Sequence, residues 1–144
     1  MKAKGNAMGR FNVEFVVANY GDMALADRGL LPADKVRRHT ISGVVDCGAA
    51  RLVLPQAVVK QLGLSAADQI TVKYADGRRA QRRQAKGVYV ELMGRDGTFT
   101  AIVEPKRETA LIGAIVLEDL NFLVDCQNQR LVPRDPHGPL FEIE

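Results

Sequence analysis

The chain has 144 residues, with 20 Lys and Arg against 17 Asp and Glu, a formal net charge of +3. With 47% hydrophobic and 26% charged residues it has a globular composition, which excludes a disordered chain. One domain of this size buries a core without staples, and two cysteines, Cys47 and Cys126, exclude a secreted disulfide scaffold.

The longest apolar run, Ala110 to Leu117, is broken by Gly113 and falls far short of the about 20 residues a membrane span needs. Lys2 and Lys4 have no apolar segment behind them, and Glu14 interrupts the first hydrophobic stretch. No secretory signal is therefore expected, the expected location is the cytoplasm, and no membrane partner is expected. A pI near 9.0 is compatible with nucleic acid, yet +3 over this length is a weak push.

Residues 1–10 read as a flexible N-terminus, 11–133 as a single domain and 134–144 as a C-terminal tail. Phe11, Val13, Phe15 and Val17 alternate with polar residues and predict a strand. Asn19 to Asp22 reads as a turn. Val36 to Val45 is rich in β-branched residues and runs into Asp46-Cys47-Gly48, and Arg51 to Leu54 predicts another short strand. Pro55 to Leu62 is the clearest helix, with Pro55 suited to its first position and Gly63 to its end.

Ile70 to Tyr74 alternates and reaches Ala75-Asp76-Gly77, a hairpin signal. Gly87–Met93 and Phe99–Val103 pair around a turn at Gly94 to Gly97. A short helix is predicted over Ala114–Leu120, and a last hairpin over Phe122–Val124 and Arg130–Val132. Leu140 to Glu144 reads as a final edge strand. Many short strands with two short helices make the fold class all-β, a barrel or a sandwich.

The first chemical candidate is Val44-Val45-Asp46-Cys47-Gly48-Ala49. A carboxylate follows an apolar run, on a turn that Gly48 lets other groups approach closely. Burying that acid costs several kcal/mol or raises its pKa unless it is hydrogen-bonded. The plain alternative is a strand-ending Asp that closes its own turn. Well downstream, Leu111-Ile112-Gly113 again opens a short helix.

Together these elements resemble the retropepsin-like aspartic proteases, the retroviral type with bacterial single-domain members. Asp46-Cys47-Gly48-Ala49 falls on that family's Asp-Thr/Ser-Gly-Ala loop, and Leu111, Ile112 and Gly113 on its apolar-apolar-Gly motif. Ala75, Asp76 and Gly77 fall where its substrate-covering flap has its tip. The resemblance spans about Phe11 to Pro133 by order and spacing of elements. It implies a closed acid-protease β-barrel with one lobe per chain, Asp46 as the catalytic acid, and Cys47, Gly48 and Ala49 as its loop. It further implies endopeptidase activity on a peptide or protein substrate, a second copy of the chain as partner, and neither cofactor nor metal. Two carboxylates must share one water and one proton, one as base and one as acid. With one credible motif in the chain, the second carboxylate comes from a homodimer.

Cys47 departs from the family's Thr or Ser, whose hydroxyls there bond across the dimer axis. A thiol is a weak donor and acceptor, so about 0.5–1.5 kcal/mol is lost per missing bond, applied twice by symmetry. The alternative is a non-catalytic binding module that keeps the fold, and more remotely a basic β-barrel that binds nucleic acid. Arg78, Arg79, Arg82, Arg83 and Lys86 follow the flap tip and read either as a solvated face or as attraction for an acidic substrate or nucleic acid. Aromatic content of 6% with no Trp disfavours nucleic acid as a partner. Asp27-Arg28-Gly29 and Val124-Asp125-Cys126 read as turns, and His39 and His137 lie far apart with no cysteine partner at metal spacing, which disfavours a zinc site.

Overall fold

The computed structural model describes residues 10–144; most of the N-terminal segment read as flexible thus lies outside the described residues. Among the described residues there are nine strands, and part of them close into a ring. Six of them, β1 (Phe11–Asn19), β2 (Arg38–Val45), β7 (Ala110–Ile112), β3 (Leu52–Pro55), β6 (Arg95–Glu104) and β5 (Arg79–Leu92), follow one another in that order. The pairing of β1 with β5, Val16↔Glu91 to Asn19↔Val88, closes the barrel. β4 (Asp68–Lys73) extends the sheet outward from β5, and β8 (Phe122–Asp125) pairs separately with β9 (Arg130–Pro133).

Alternation fills the barrel from every wall. Val17, Val45, Leu52, Leu54, Val88, Val90, Leu92 and Ile112 are fully or almost fully buried. Each such side chain is worth about 1.5–3 kcal/mol of burial. Leu62, beside α2 (Gln56–Gln61), and Val116 and Leu120, on and just beyond α3 (Ala114–Asp119), join the same core.

A third helix, α1 (Tyr20–Asp27), stands where a turn and an unpatterned stretch are expected. The Asn19 side chain accepts from the Asp22 N–H at 3.0 Å, the same local bond an Asx turn makes, so cap and turn look alike in sequence. Pro55 ends β3, opposite Glu104 of β6, and caps α2 from outside with ψ 143° rather than opening the helix. The β5–β6 turn is only Met93-Gly94, both with positive φ (51° and 81°). Gly94 makes that two-residue turn easy, so Arg95, Asp96 and Gly97 belong to β6 and not to the loop.

Arg95 consequently points inward. It donates to the carbonyls of Leu120, Asn121 and Asp135, tying the start of the tail to the barrel. The expected edge strand over Leu140–Glu144 does not form. Pro136 and Pro139 offer no ladder donors beside it, and Leu140, Phe141 and Ile143 stay exposed. Among the described residues no helix is long and apolar enough to cross a membrane.

Candidate active site

β7 lies between β2 and β3, the two strands that enter and leave the loop at residues 46–51. It runs parallel to β2, with Val45↔Ile112, and meets β3 at Val53↔Leu111. The two motifs that sequence places far apart are thereby brought to one spot. Asp46 donates its N–H to the Ile112 carbonyl at 3.0 Å. Across the loop, Ala49 donates to the Asp46 carbonyl at 3.1 Å.

The N-terminus of α3 clamps the other side of the loop. Ala114 and Ile115 donate to the carbonyls of Ala49 and Ala50, at 2.8 and 2.9 Å. These two donors lie in the first turn, where a helix has no internal acceptor for them. Gly113 is extended (φ −93°, ψ −177°), so its value is closeness and not backbone freedom. A Cβ there would sit 2.6 Å from the Arg51 carbonyl oxygen and 2.7 Å from that of Ala49.

Within this frame the Asp46 carboxylate is held at 16% exposure. Its Oδ1 accepts from the Gly48 N–H at 2.9 Å, and its Oδ2 stands 3.1 Å from Arg10 Nη2. One oxygen is fixed by backbone and the other faces the exposed Arg10 side chain. Cys47 and Gly48 are exposed and Ala49 half-buried. Burial pushes the Cys47 thiol up, and negative charge at Cys126 and Asp46 adds to it. A thiol held protonated in this way is a poor nucleophile. Among the described residues no three His, Cys, Asp or Glu side chains gather as metal ligands would.

Ala75, Asp76 and Gly77 form the exposed tip between β4 and β5. Tyr74 and Arg78 close the turn with a 2.8 Å backbone bond, and Gly77 (φ 91°) donates to the Tyr74 carbonyl at 2.9 Å. The Asp76 carboxylate accepts from both the backbone and the guanidinium of Arg78, which hold it below its usual range. Below the tip, Glu104 accepts from the Tyr74 hydroxyl at 2.6 Å and from Arg82 at 2.9 Å.

The hairpin and the Asp46 loop meet through Arg51, whose Nη1 donates to Gln84 Oε1 of β5 at 2.6 Å. Beside Arg51 a cleft of about 260 Å³ opens between Leu52, Thr98, Phe99 and Ile115. Arg10, Arg51 and Gln84 escape the sequence reading. Their only signal is position, a cation on each flank of the Asp46 segment.

No protein-family model matches the chain, and no curated protein does. Among solved structures, the chain is similar to the solution structure of the simian foamy virus (mac) protease. The identity is 15% and the TM-score 0.44, over 55% of this chain and 81% of that one.

Proposed function

We propose that this chain is one half of a retropepsin-type aspartic endopeptidase, completed by a second copy. The observation that carries the reading is the double clamp on the Asp46 loop. β7 on one side and the α3 N-terminus on the other hold a partly covered carboxylate, with one oxygen fixed by Gly48. Hydrolysis by two carboxylates needs that fixity, because a water must be gripped and aimed at the scissile carbonyl. Two such acids close together cannot both ionise easily, so one serves as base toward water and the other protonates the carbonyl oxygen.

In this account Gly48 and Ala49 offer backbone to the peptide, and Ala75, Asp76 and Gly77 cover it. Leu111, Ile112 and Gly113 support the loop. A second copy finds apolar surface on Ile115 of α3 and on Leu140, Phe141 and Ile143 of the tail, all exposed in the single chain. The Arg10 guanidinium, 3.1 Å from Asp46 Oδ2, favours a second reading, a peptide-binding module without hydrolysis, because it occupies the oxygen that a water would need.

The test is mass spectrometry of a peptide library incubated with wild type, Asp46→Asn and Arg10→Gln. Cleavage by wild type and Arg10→Gln but not by Asp46→Asn is expected. Equal cleavage by Asp46→Asn removes Asp46 from the chemistry. Cleavage by none of the three leaves the binding module.

A further inference from the structure

Among the described strands of the main sheet, β4 has a neighbour on one side only. The two faces of the β4–β5 hairpin differ in kind. One holds the half-buried Ile70, Val72 and Ala80, and Arg82 paired to Glu104. On the other face the register sets Lys73 opposite Arg79, Thr71 opposite Gln81 and Gln69 opposite Arg83. All six of these residues are exposed.

That face carries three cations and no carboxylate. The other cations of the hairpin are neutralised: Arg78 by Asp76, Arg82 by Glu104 and Lys86 by Asp68. Lys73, Arg79 and Arg83 form no ion pair among the described residues. Stability alone argues against the arrangement, since like charges directly opposite on neighbouring strands repel. An anionic partner would turn that repulsion into attraction.

The shape of the stripe favours one kind of anion. Arg79 and Arg83 lie on the same side of one strand, about 13 Å apart at about 3.3 Å per residue. Side chains four apart on an extended peptide repeat at that same distance. The unpaired edge of β4 also offers backbone groups to an added strand. Nucleic acid finds less here. Tyr74, the aromatic beside the tip, has the Arg78 guanidinium over its ring at 4.6 Å and its hydroxyl bound to Glu104, so it is no stacking platform.

We propose that the Lys73–Arg79–Arg83 face of the hairpin docks an acidic, extended polypeptide segment, so that the substrates carry a carboxylate-rich stretch. This rests on the peptidase reading, with the acidic stretch held outside the Asp46 site, on the face of β4–β5 opposite to Gln84, which meets Arg51 of the Asp46 loop. The charges act mainly on capture, through encounter rate and KM, and weaken with salt.

The test measures fluorescence anisotropy of labelled poly-glutamate, poly-lysine and polyuridylate with the full chain. It compares wild type, a Lys73→Gln/Arg79→Gln/Arg83→Gln variant, and a control neutralising Arg28, Lys35 and Lys60, three exposed cations elsewhere. Poly-glutamate is expected to bind wild type and the control alike, more weakly as salt rises, and about tenfold more weakly to the hairpin variant. Poly-lysine is expected not to bind. Equal poly-glutamate binding by all three proteins, no binding at all, or tighter binding of polyuridylate overturns the proposal. Binding does not depend on hydrolysis. Acidic binding without cleavage therefore rejects the peptidase reading alone, and cleavage without acidic preference rejects this one alone.

Discussion

Val-Asp-Cys occurs twice in this chain, as Val45-Asp46-Cys47 after β2 and as Val124-Asp125-Cys126 at the end of β8. The residue that follows is Gly48 in the first and Gln127 in the second. Asp125 turns wholly upon its own hairpin. It accepts from the Asn128 N–H at 3.1 Å and side chain at 2.9 Å, and from Arg130 at 3.2 Å. These bonds, Asn128 first, hold its carboxyl below the usual range. The Asp46 carboxylate accepts one bond from its own loop and faces Arg10 from outside it, and its N–H is tied to the distant Ile112 carbonyl. On the proposed reading, the contrast separates a structural aspartate from a catalytic one. The backbone must be immobilised from outside the turn so that the carboxylate itself keeps free acceptor capacity.

The sharpest way to break this contrast is to remove each carboxylate in turn. Asp46→Asn is expected to lower peptide hydrolysis about a thousandfold, as loss of a general acid–base group does, while Asp125→Asn keeps most of it. Steady-state rates on one library-derived peptide decide the matter, and equal losses would erase the distinction. Next in size is the clamp. Gly113→Ala forces a Cβ against backbone oxygens that cannot rotate away, and is expected to cost about 2–3 kcal/mol by denaturant unfolding. Gln127→Ala, in the exposed turn after Asp125, should stay within about 0.5 kcal/mol.

A third carboxylate lies between these two cases. Asp22 is buried and accepts from the Arg37 side chain and backbone, which hold it below 3.8. A carboxyl lowered on folding adds stability above its unfolded pKa, and that stability is lost as pH falls through the folded value. Asp22→Asn is expected to cost about 2 kcal/mol at neutral pH and to flatten the acid limb of the stability curve below about pH 4. An unchanged acid limb would take Asp22 out of that account. The last effect concerns Cys47. Cys47→Thr is expected to tighten self-association in sedimentation, by about 0.5–1.5 kcal/mol for each of the two bonds gained across the axis. An unchanged monomer–dimer balance, with and without reductant, moves Cys47 away from that axis.

Much of the barrel was legible because alternation and burial agree, as in Phe11 to Val17 and in Val45 before the loop. The helices after Pro55 and Gly113 were legible from their punctuation. α1 was not, because an Asn cap and an Asx turn begin with the same bond. The inward turn of Arg95 was hidden by its place in a Gly-Arg-Asp-Gly stretch that reads as loop. At the site, Asp46 and Gly113 were visible as motifs, whereas the clamp is not a property of either motif. It arises from β7 lying between β2 and β3, a long-range pairing that local pattern does not encode. Arg10 and Arg51 were invisible for the same reason, since their partners Asp46 and Gln84 are chosen by the folded chain.

The central claim, that two copies share one Asp46 dyad, is tested most directly by mixing. Wild type is held at constant concentration while Asp46→Asn is added in increasing excess, and peptide hydrolysis is followed after exchange of subunits. A shared dyad predicts that activity falls toward zero, because wild-type chains become trapped in pairs with one carboxylate. Activity that stays at the wild-type level throughout would mean that each chain works with its own groups, and would contradict the account.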